Sequence, residues 1–331
     1  MIRLPLAPYF HPTTVCFVDD NESFLRSLDL QLPVGWAYKS FTDPLIALDF
    51  LQQPAALPPL VDRCFSIDHG DRLEPTVHLD LGMVEQEIHH IERFARISVV
   101  IVDYAMPSLN GLDFCAALDD PYLKKALLTG VADEKVAVEA FNDGLIHKFI
   151  PKNTAIAIDT ILTYVTDLQH QYFNQYISRL HNTLSIDPPG FLVDSNVQSH
   201  ILDIMIKEQI VEYYLVNDPP GFLLVRSDGT MKRLVILNET QMQFQEQELR
   251  QLGAPADIVA NQAARKVVGF FAESPVDYLG HEPYPWAENL IDATHIAANE
   301  DWFVGLVDDP PRDIDFDPAK SSYDAYLASL E

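Results

Sequence analysis

Five residues in the first half of the chain have side chains suited to one chemistry, and each closes an apolar run. Asp19 and Asp20 follow "TVCFV", Asp103 follows "SVVIV", Thr129 ends "KKALLT", and Lys152 comes just after "HKFIP". Carboxylates brought together repel, so they either take up a proton or hold a cation. Magnesium suits such a group, because it uses one or two carboxylates, keeps waters and shares itself with a phosphate. Three carboxylates, a hydroxyl and an ammonium on one rim make a phosphoryl-transfer site. Asp103 would attack phosphorus while the metal neutralises charge on the equatorial oxygens. Thr129 and Lys152 would each bind one oxygen of the resulting acyl phosphate. A lone aspartate at a strand end is an ordinary turn former, so the reading depends on all five residues reaching the same edge.

The elements that must bring them there are legible as alternating strands and helices. "TTVCFVDD" reads as a short buried strand, and "NESFLRSLDLQL" follows with Phe24, Leu25, Leu28 and Leu32 at helical spacing. "WAYKSF" is a second strand, and "TDPLIALDFLQQ" a helix with Pro44 near its start. "SVVIVDYAMPSLNG" supplies the third strand. "NGLDFCAAL", "KKALLT", "DEKVAVEAFNDG", "HKFI" and "NTAIAIDTILTYV" continue the alternation. Such a series implies a parallel sheet covered on both faces. In that architecture the carboxyl ends of the strands converge on one rim, where ligands bind.

These segments resemble the CheY-like receiver domain of two-component response regulators over residues 13 to about 165. The matching pieces are "FVDDNE", "VIVDYAMPSLNGLDF", "ALLTG" and "FIPKN". The resemblance implies that a partner histidine kinase or phosphotransfer protein phosphorylates Asp103. It implies an acidic pair, Asp19 and Asp20, with Asp20 a direct Mg2+ ligand beside Asp103 and the backbone carbonyl of Ala105. Thr129 becomes the switch hydroxyl, Lys152 the phosphate lysine and Phe149 the switch aromatic. Two departures stand out. Asn153 follows Lys152 where receivers usually have a proline, and Pro151 precedes it. A stretch from about Ala55 to Arg96 is inserted where a receiver has a short connection.

Composition narrows the wider setting. At 331 residues the chain is long enough for two domains. Its formal charge of −27 repels nucleic acid and anionic membranes unless a basic patch overrides it. The longest basic clusters are pairs: Lys124-Lys125, Lys232-Arg233 and Arg265-Lys266. The three cysteines, Cys16, Cys64 and Cys115, read as reduced packing thiols. "MIRLPLAPYFHPTT" has prolines where a signal peptide needs an unbroken apolar core, and no apolar run reaches membrane-spanning length. A cytoplasmic protein is expected.

Within the insertion, "GMVEQEIHHIERFAR" reads as one helix, with Met83, Ile88, Ile91 and Phe94 forming a face that packs on the receiver. His89 and His90 adjoin Glu85 and Glu92, but a stable metal site needs more ligands, and a hydrated polar face is the simpler reading. From Thr154 to about Leu184 no Gly or Pro interrupts a long helix. Ile158, Ile161, Val165, Leu168, Tyr172 and Tyr176 keep near-heptad spacing. That stripe serves either as a rigid connector with a dimer seam or as a face packed on its own chain.

The second half, 185–331, changes pattern. "DPPGFLVD" and "DPPGFLLV" each read as a turn feeding an apolar strand. "VEYYLVNDPPGFLLVRSDGTMKRLVIL" reads as three strands with Asp228-Gly229 as a hairpin turn. Helices follow over "ETQMQFQEQELRQLG" and "APADIVANQAARKVV", then a late strand at "WFVGLVDD". An α+β domain built on an antiparallel sheet is expected. It holds no Gly-rich phosphate loop, nucleophile elbow, cyclic-di-GMP signature or helix-turn-helix. From Asp187 onward there are 25 acidic and 9 basic residues, which disfavours binding to a phosphate backbone. Acidic "VDDPPRDIDFD" reads either as a metal or partner site or as a solvated tail, and the tail is the simpler reading. This half resembles the output domains of some proteobacterial response regulators, those of quorum sensing in Legionella first. The segment around Gly221 to Leu237 is also similar to a PAS-like sensor sheet.

The expectation is a response regulator whose receiver, 1–165, is joined by a helix at 154–184 to a non-DNA-binding output domain at 185–331. That output would act by binding a protein or small ligand, with phosphorylation promoting a homodimer. The rivals are a nucleotide-binding or enzymatic output and a scaffold that is never phosphorylated.

Overall fold

In the computed structural model the chain folds into two compact units. The described residues are 6–54, 57–68, 76–130, 134–152, 157–183, 189–271, 284–308 and 316–330. One unit comprises 11–59, 91–182 and 326–331; the other comprises 1–10, 60–90 and 183–325.

The first unit is a doubly wound α/β domain, the architecture that the resemblance implies. Its five strands are Thr14–Val18, Tyr38–Phe41, Ile97–Asp103, Lys124–Thr129 and Lys148–Pro151. They pair in parallel with the second strand outermost, then the first, third, fourth and fifth. The near-continuous β-branched run of the third strand is what a strand covered on both faces requires, and Val99 to Val102 are fully buried. Alternation decides the two faces. Cys16, Val18, Val100, Val102 and Leu127 pack with Phe114, Cys115, Ala137 and Ile146. Val15, Phe17, Val99, Ile101, Ala126 and Leu128 pack with Leu25, Leu28, Ile161, Val165 and Leu168.

Helix starts in this unit are set by side-chain caps. Asn21, Asp43 and Asn110 accept from the first free N–H groups of helices Glu22–Asp29, Pro44–Gln52 and Gly111–Ala116. The long helix is described over Ala157–Thr183. Its apolar stripe is buried at Ile161, Val165, Leu168 and Tyr172. Through Leu168 that stripe lies in the receiver core, so this part of it packs on its own chain and offers no seam there.

The second unit is α+β. Six antiparallel strands run in the order Tyr9–Phe10, Ile210–Asn217, Pro220–Arg226, Met231–Asn238, Asp301–Asp308, Thr294–Ala297. The Asp228-Gly229 turn forms as expected. Gly229 takes φ +84° and its N–H reaches the Arg226 carbonyl at 2.9 Å, while the Thr230 N–H reaches Asp228 Oδ1 at 2.7 Å. Helices Ser195–Lys207, Glu239–Gln251 and Ala256–Ala263 accompany the sheet. Phe191, Ile201, Tyr213, Phe222, Leu234 and Trp302 form the main core of this unit.

Three expectations are corrected. The inserted segment is not one helix: Leu81–Gln86 is helical, and 3-10 turns follow at Glu87–His89 and Ile91–Arg93. His90 breaks between them with extended backbone. Met83 faces outward, 40% exposed, and Val84 is buried in its place. The segment Leu60–His90 also groups with the antiparallel unit rather than the receiver, because Leu79 and Leu81 pack into that unit's core. Finally, "GFLV" after the first "DPP" forms the 3-10 turn Gly190–Leu192 instead of a strand. Asp194 then caps the helix beginning at Ser195 by accepting from the Asn196 and Val197 N–H groups, which turns the chain away from extended pairing.

Candidate functional site

The carboxyl ends of the parallel strands bring the five residues together as their spacing demanded. Asp19 follows the central first strand, Asp103 ends the third beside it, and Thr129 ends the fourth. Lys152 follows the edge strand that ends at Pro151; its N–H donates to the Thr129 carbonyl at 2.9 Å. A proline at that position is tolerated because the strand lies on the sheet edge.

Lys152 Nζ lies 2.6 Å from Asp19 Oδ2 and 2.9 Å from Asp103 Oδ1. Asp19 is fully buried, Asp103 is nearly so, and Asp20 is exposed. Burial pushes the Asp19 carboxyl above its ordinary range; Lys152 and the Asn21 N–H oppose the rise, and the neighbouring Asp103 adds to it. Burial also pulls on the Lys152 ammonium, but its hydrogen bonds and charge pairing with Asp19 and Asp103 outweigh that and hold its pKa above the ordinary value. One ammonium therefore serves two buried carboxylates. Carboxylate oxygens of Asp19, Asp20 and Asp103 lie within 4.8 Å of one another, a hard oxygen donor set that can hold a divalent cation. It is the one such group among the described residues; Glu85, His89, His90 and Glu92 form none.

Thr129 Oγ1 is buried and has no hydrogen-bond partner among the described residues. A buried hydroxyl left so costs stability, which suits a group whose partner arrives from outside. Ala105 is exposed in the loop just after the third strand. Phe149 is half-buried on the edge strand, with its ring 6.4 Å from that of Phe141 on helix Glu134–Asn142. Asn153 lies outside the described residues.

Three contributors escaped the sequence reading. The Asn21 N–H donates to Asp19 Oδ1 at 2.9 Å, and its cap role was readable from its place before an apolar-periodic run. Gly111 opens its helix so close to the third strand that a Cβ there would fall 2.3 Å from the Asp103 carbonyl oxygen. Its signal was a glycine directly after the capping Asn110. The Phe24 ring lies under Lys152 Nζ at 5.0 Å, and no sequence pattern distinguishes it from other helix-face residues.

No protein-family model matches the chain, and no curated protein matches it in sequence. Among solved structures, the Legionella pneumophila response regulator LqsR is 31% identical, with a TM-score of 0.79 over 98% of this chain and 96% of that one. This chain belongs to the response regulators. The likeness spans both units, so the resemblance first seen in the second half extends across the chain. The CheY-like receiver domain protein of Methanospirillum hungatei matches 50% of this chain and 98% of its own at 15% identity and TM-score 0.31. A Clostridium thermocellum receiver domain matches 50% and 95% at 16% identity and TM-score 0.30. Likenesses this distant carry no argument about function. As a two-component response regulator, this protein works with a histidine kinase or phosphotransfer partner. Among the described residues, no helix is long and apolar enough to cross a membrane.

Proposed function

We propose that Asp103 is the phosphoacceptor of this response regulator. The observation that carries the reading is the meeting of Asp19, Asp20 and Asp103 with Lys152, 2.9 Å from Asp103 Oδ1, and the unpartnered Thr129 hydroxyl at the next strand end. A carboxylate oxygen of Asp103 attacks the phosphorus of a phosphohistidine. The new P–O bond forms as the P–N bond breaks, and the imidazole nitrogen keeps the electron pair and takes up a proton. Asp19, Asp20, Asp103 and the Ala105 carbonyl would hold Mg2+, which supplies positive charge for the phosphoryl oxygens. Lys152 then binds one oxygen of the acyl phosphate and Thr129 another.

Thr129 moving toward the phosphate opens space that the Phe149 ring can fill. That changes the face built from helix Glu134–Asn142 and the edge strand, where Val138 and Phe141 are about half exposed. Phosphorylation thereby promotes a homodimer through the receiver. The second unit acts by binding a protein or small ligand in the cytoplasm, since its acidic excess opposes contact with a phosphate backbone.

The deciding experiment is mass spectrometry after incubation with a small phosphodonor and magnesium. One added phosphate is expected on the native protein and none on Asp103→Asn. An equal yield from both would remove Asp103 from the role.

A further inference from the structure

The second unit contains a cleft of about 730 Å³ between helix Ser195–Lys207 and the strands Leu290–Asp292 and Asp301–Asp308. That volume lies within the range of small-molecule sites, about 300–1,000 Å³. Its floor is apolar: Ile204, Leu290 and Leu306 line it, and each remains half-buried rather than sealed. Its rim is acidic. Asp203, Glu288 and Asp292 are exposed around it, and their carboxylates pair with no described side chain.

The remaining carboxylates of the lining, Glu208 and Asp308, are held by Lys232 and Arg226. Lys232 Nζ lies 3.0 Å from Glu208 Oε2 and also pairs with Asp308, while Arg226 reaches the same Glu208 oxygen at 2.9 Å. Lys207, the one lysine among the described residues of the lining, has its side chain 83% exposed and lies 4.0 Å from Glu208. The charge left unanswered is therefore negative. An anion or a nucleotide would enter against Asp203, Glu288 and Asp292, with Lys207 the one lysine of the described lining to receive it. A ligand with an apolar body and a cationic end meets both features, removing the floor from water and setting its charge among the rim carboxylates.

We propose that this cleft is a binding site for a small organic amine with an alkyl body. The proposal rests on the reading of the second unit as a ligand-binding output and gives that ligand a chemical class. Titration calorimetry on the full chain tests it with octylamine, 1,8-diaminooctane and octanoate as probes. Saturable binding of at least one amine is expected, at least tenfold tighter than octanoate and weakened by added salt. Asp203→Asn, Glu288→Gln and Asp292→Asn combined should lower amine affinity at least tenfold while leaving the thermal transition in place, since all three side chains are exposed and unpaired. Octanoate binding equally well, affinity unchanged in the triple variant, or no saturable binding by any probe would each overturn the proposal. Phosphate incorporation at Asp103, measured on the same samples, separates the two readings: amine binding can fail while the receiver still accepts phosphate.

Discussion

Lys152 Nζ stands 2.9 Å from Asp103 Oδ1, at the mouth of the acidic pocket. The lysine thus already sits where a phosphoryl oxygen on Asp103 would need a positive partner. Replacing it with methionine keeps the stem and removes the charge. Lys152→Met should lower phosphate yield from a small donor about tenfold or more, since a hydrogen bond to a charged group contributes about 1.5–3 kcal/mol. Phosphate yield on intact protein measures this, and an unaltered yield would leave Lys152 a purely structural counter-charge.

Asp20 is the exposed member of the carboxylate group, so it can be changed with little effect on packing. Asp20→Asn should weaken magnesium binding and, with it, phosphorylation, while the fold stays intact. Magnesium titration of the full chain checks the first effect and circular dichroism the second. Undiminished magnesium affinity would show that other groups hold the ion.

The unpartnered Thr129 hydroxyl makes an unusual separation possible. Thr129→Val preserves the shape and removes a buried polar atom that has no partner. Stability of the unphosphorylated protein should be unchanged or up to about 1 kcal/mol higher. Phosphate should still be added to Asp103, but the rise in mass by light scattering that is expected of the native protein on phosphorylation should be lost. A variant that dimerises as the native protein does would free Thr129 from the switch.

Gly111 lies against the backbone of the strand that ends at Asp103, where a Cβ would fall 2.3 Å from the Asp103 carbonyl oxygen. Gly111→Ala must push the helix off the strand end. A loss of about 1–3 kcal/mol is expected, the usual cost of overpacking, along with slower phosphorylation. Denaturant unfolding gives the first number and phosphorylation time courses the second.

His11 is buried against Phe173, with ring centroids 4.9 Å apart, and against Phe94. Burial lowers its pKa from 6.5 to about 3, and nearby Arg93 and Arg96 add to the effect while the Pro12 carbonyl opposes it. A folded-state pKa below the unfolded one means that the neutral ring's contribution is present above pH 6.5 and is lost as pH falls toward 3. His11→Gln should therefore flatten the decline of stability between those limits. Thermal midpoints measured across that range test it; parallel slopes in the two proteins would exclude His11 as the acid-sensitive group.

How far the chain could be read in advance differs between its parts. The receiver was legible because each strand is a short apolar run ending on a residue with distinctive chemistry, and a parallel sheet converts that order directly into a rim. The strand–turn–strand series from Ile210 to Asn238 was legible through its turn residues. Met83 misled because its spacing fits a helical face, but the helix ends within one further turn, so Val84 takes the buried place. At Gly190–Leu192 an apolar run suggested a strand, and the competing signal was Asp194 as a helix cap. Tyr9–Phe10 gave no local cue at all: two residues become a strand solely because Ile210–Asn217 offers them an edge.

That last pairing bears on how the protein can be dissected. The chain passes between its two units after residues 10, 59, 90, 182 and 325, so no single cut yields both halves whole. A fragment beginning near residue 185 would lack Tyr9 and Phe10, baring the hydrogen-bonding edge of Ile210–Asn217, and would lack Leu79 and Leu81 from its core. Bare edges of that kind recruit strands from other molecules. During synthesis, too, the opening strand must wait for its partner, which emerges about two hundred residues later. Tyr9 and Phe10 therefore take their place in the sheet only after Ile210–Asn217 has left the ribosome.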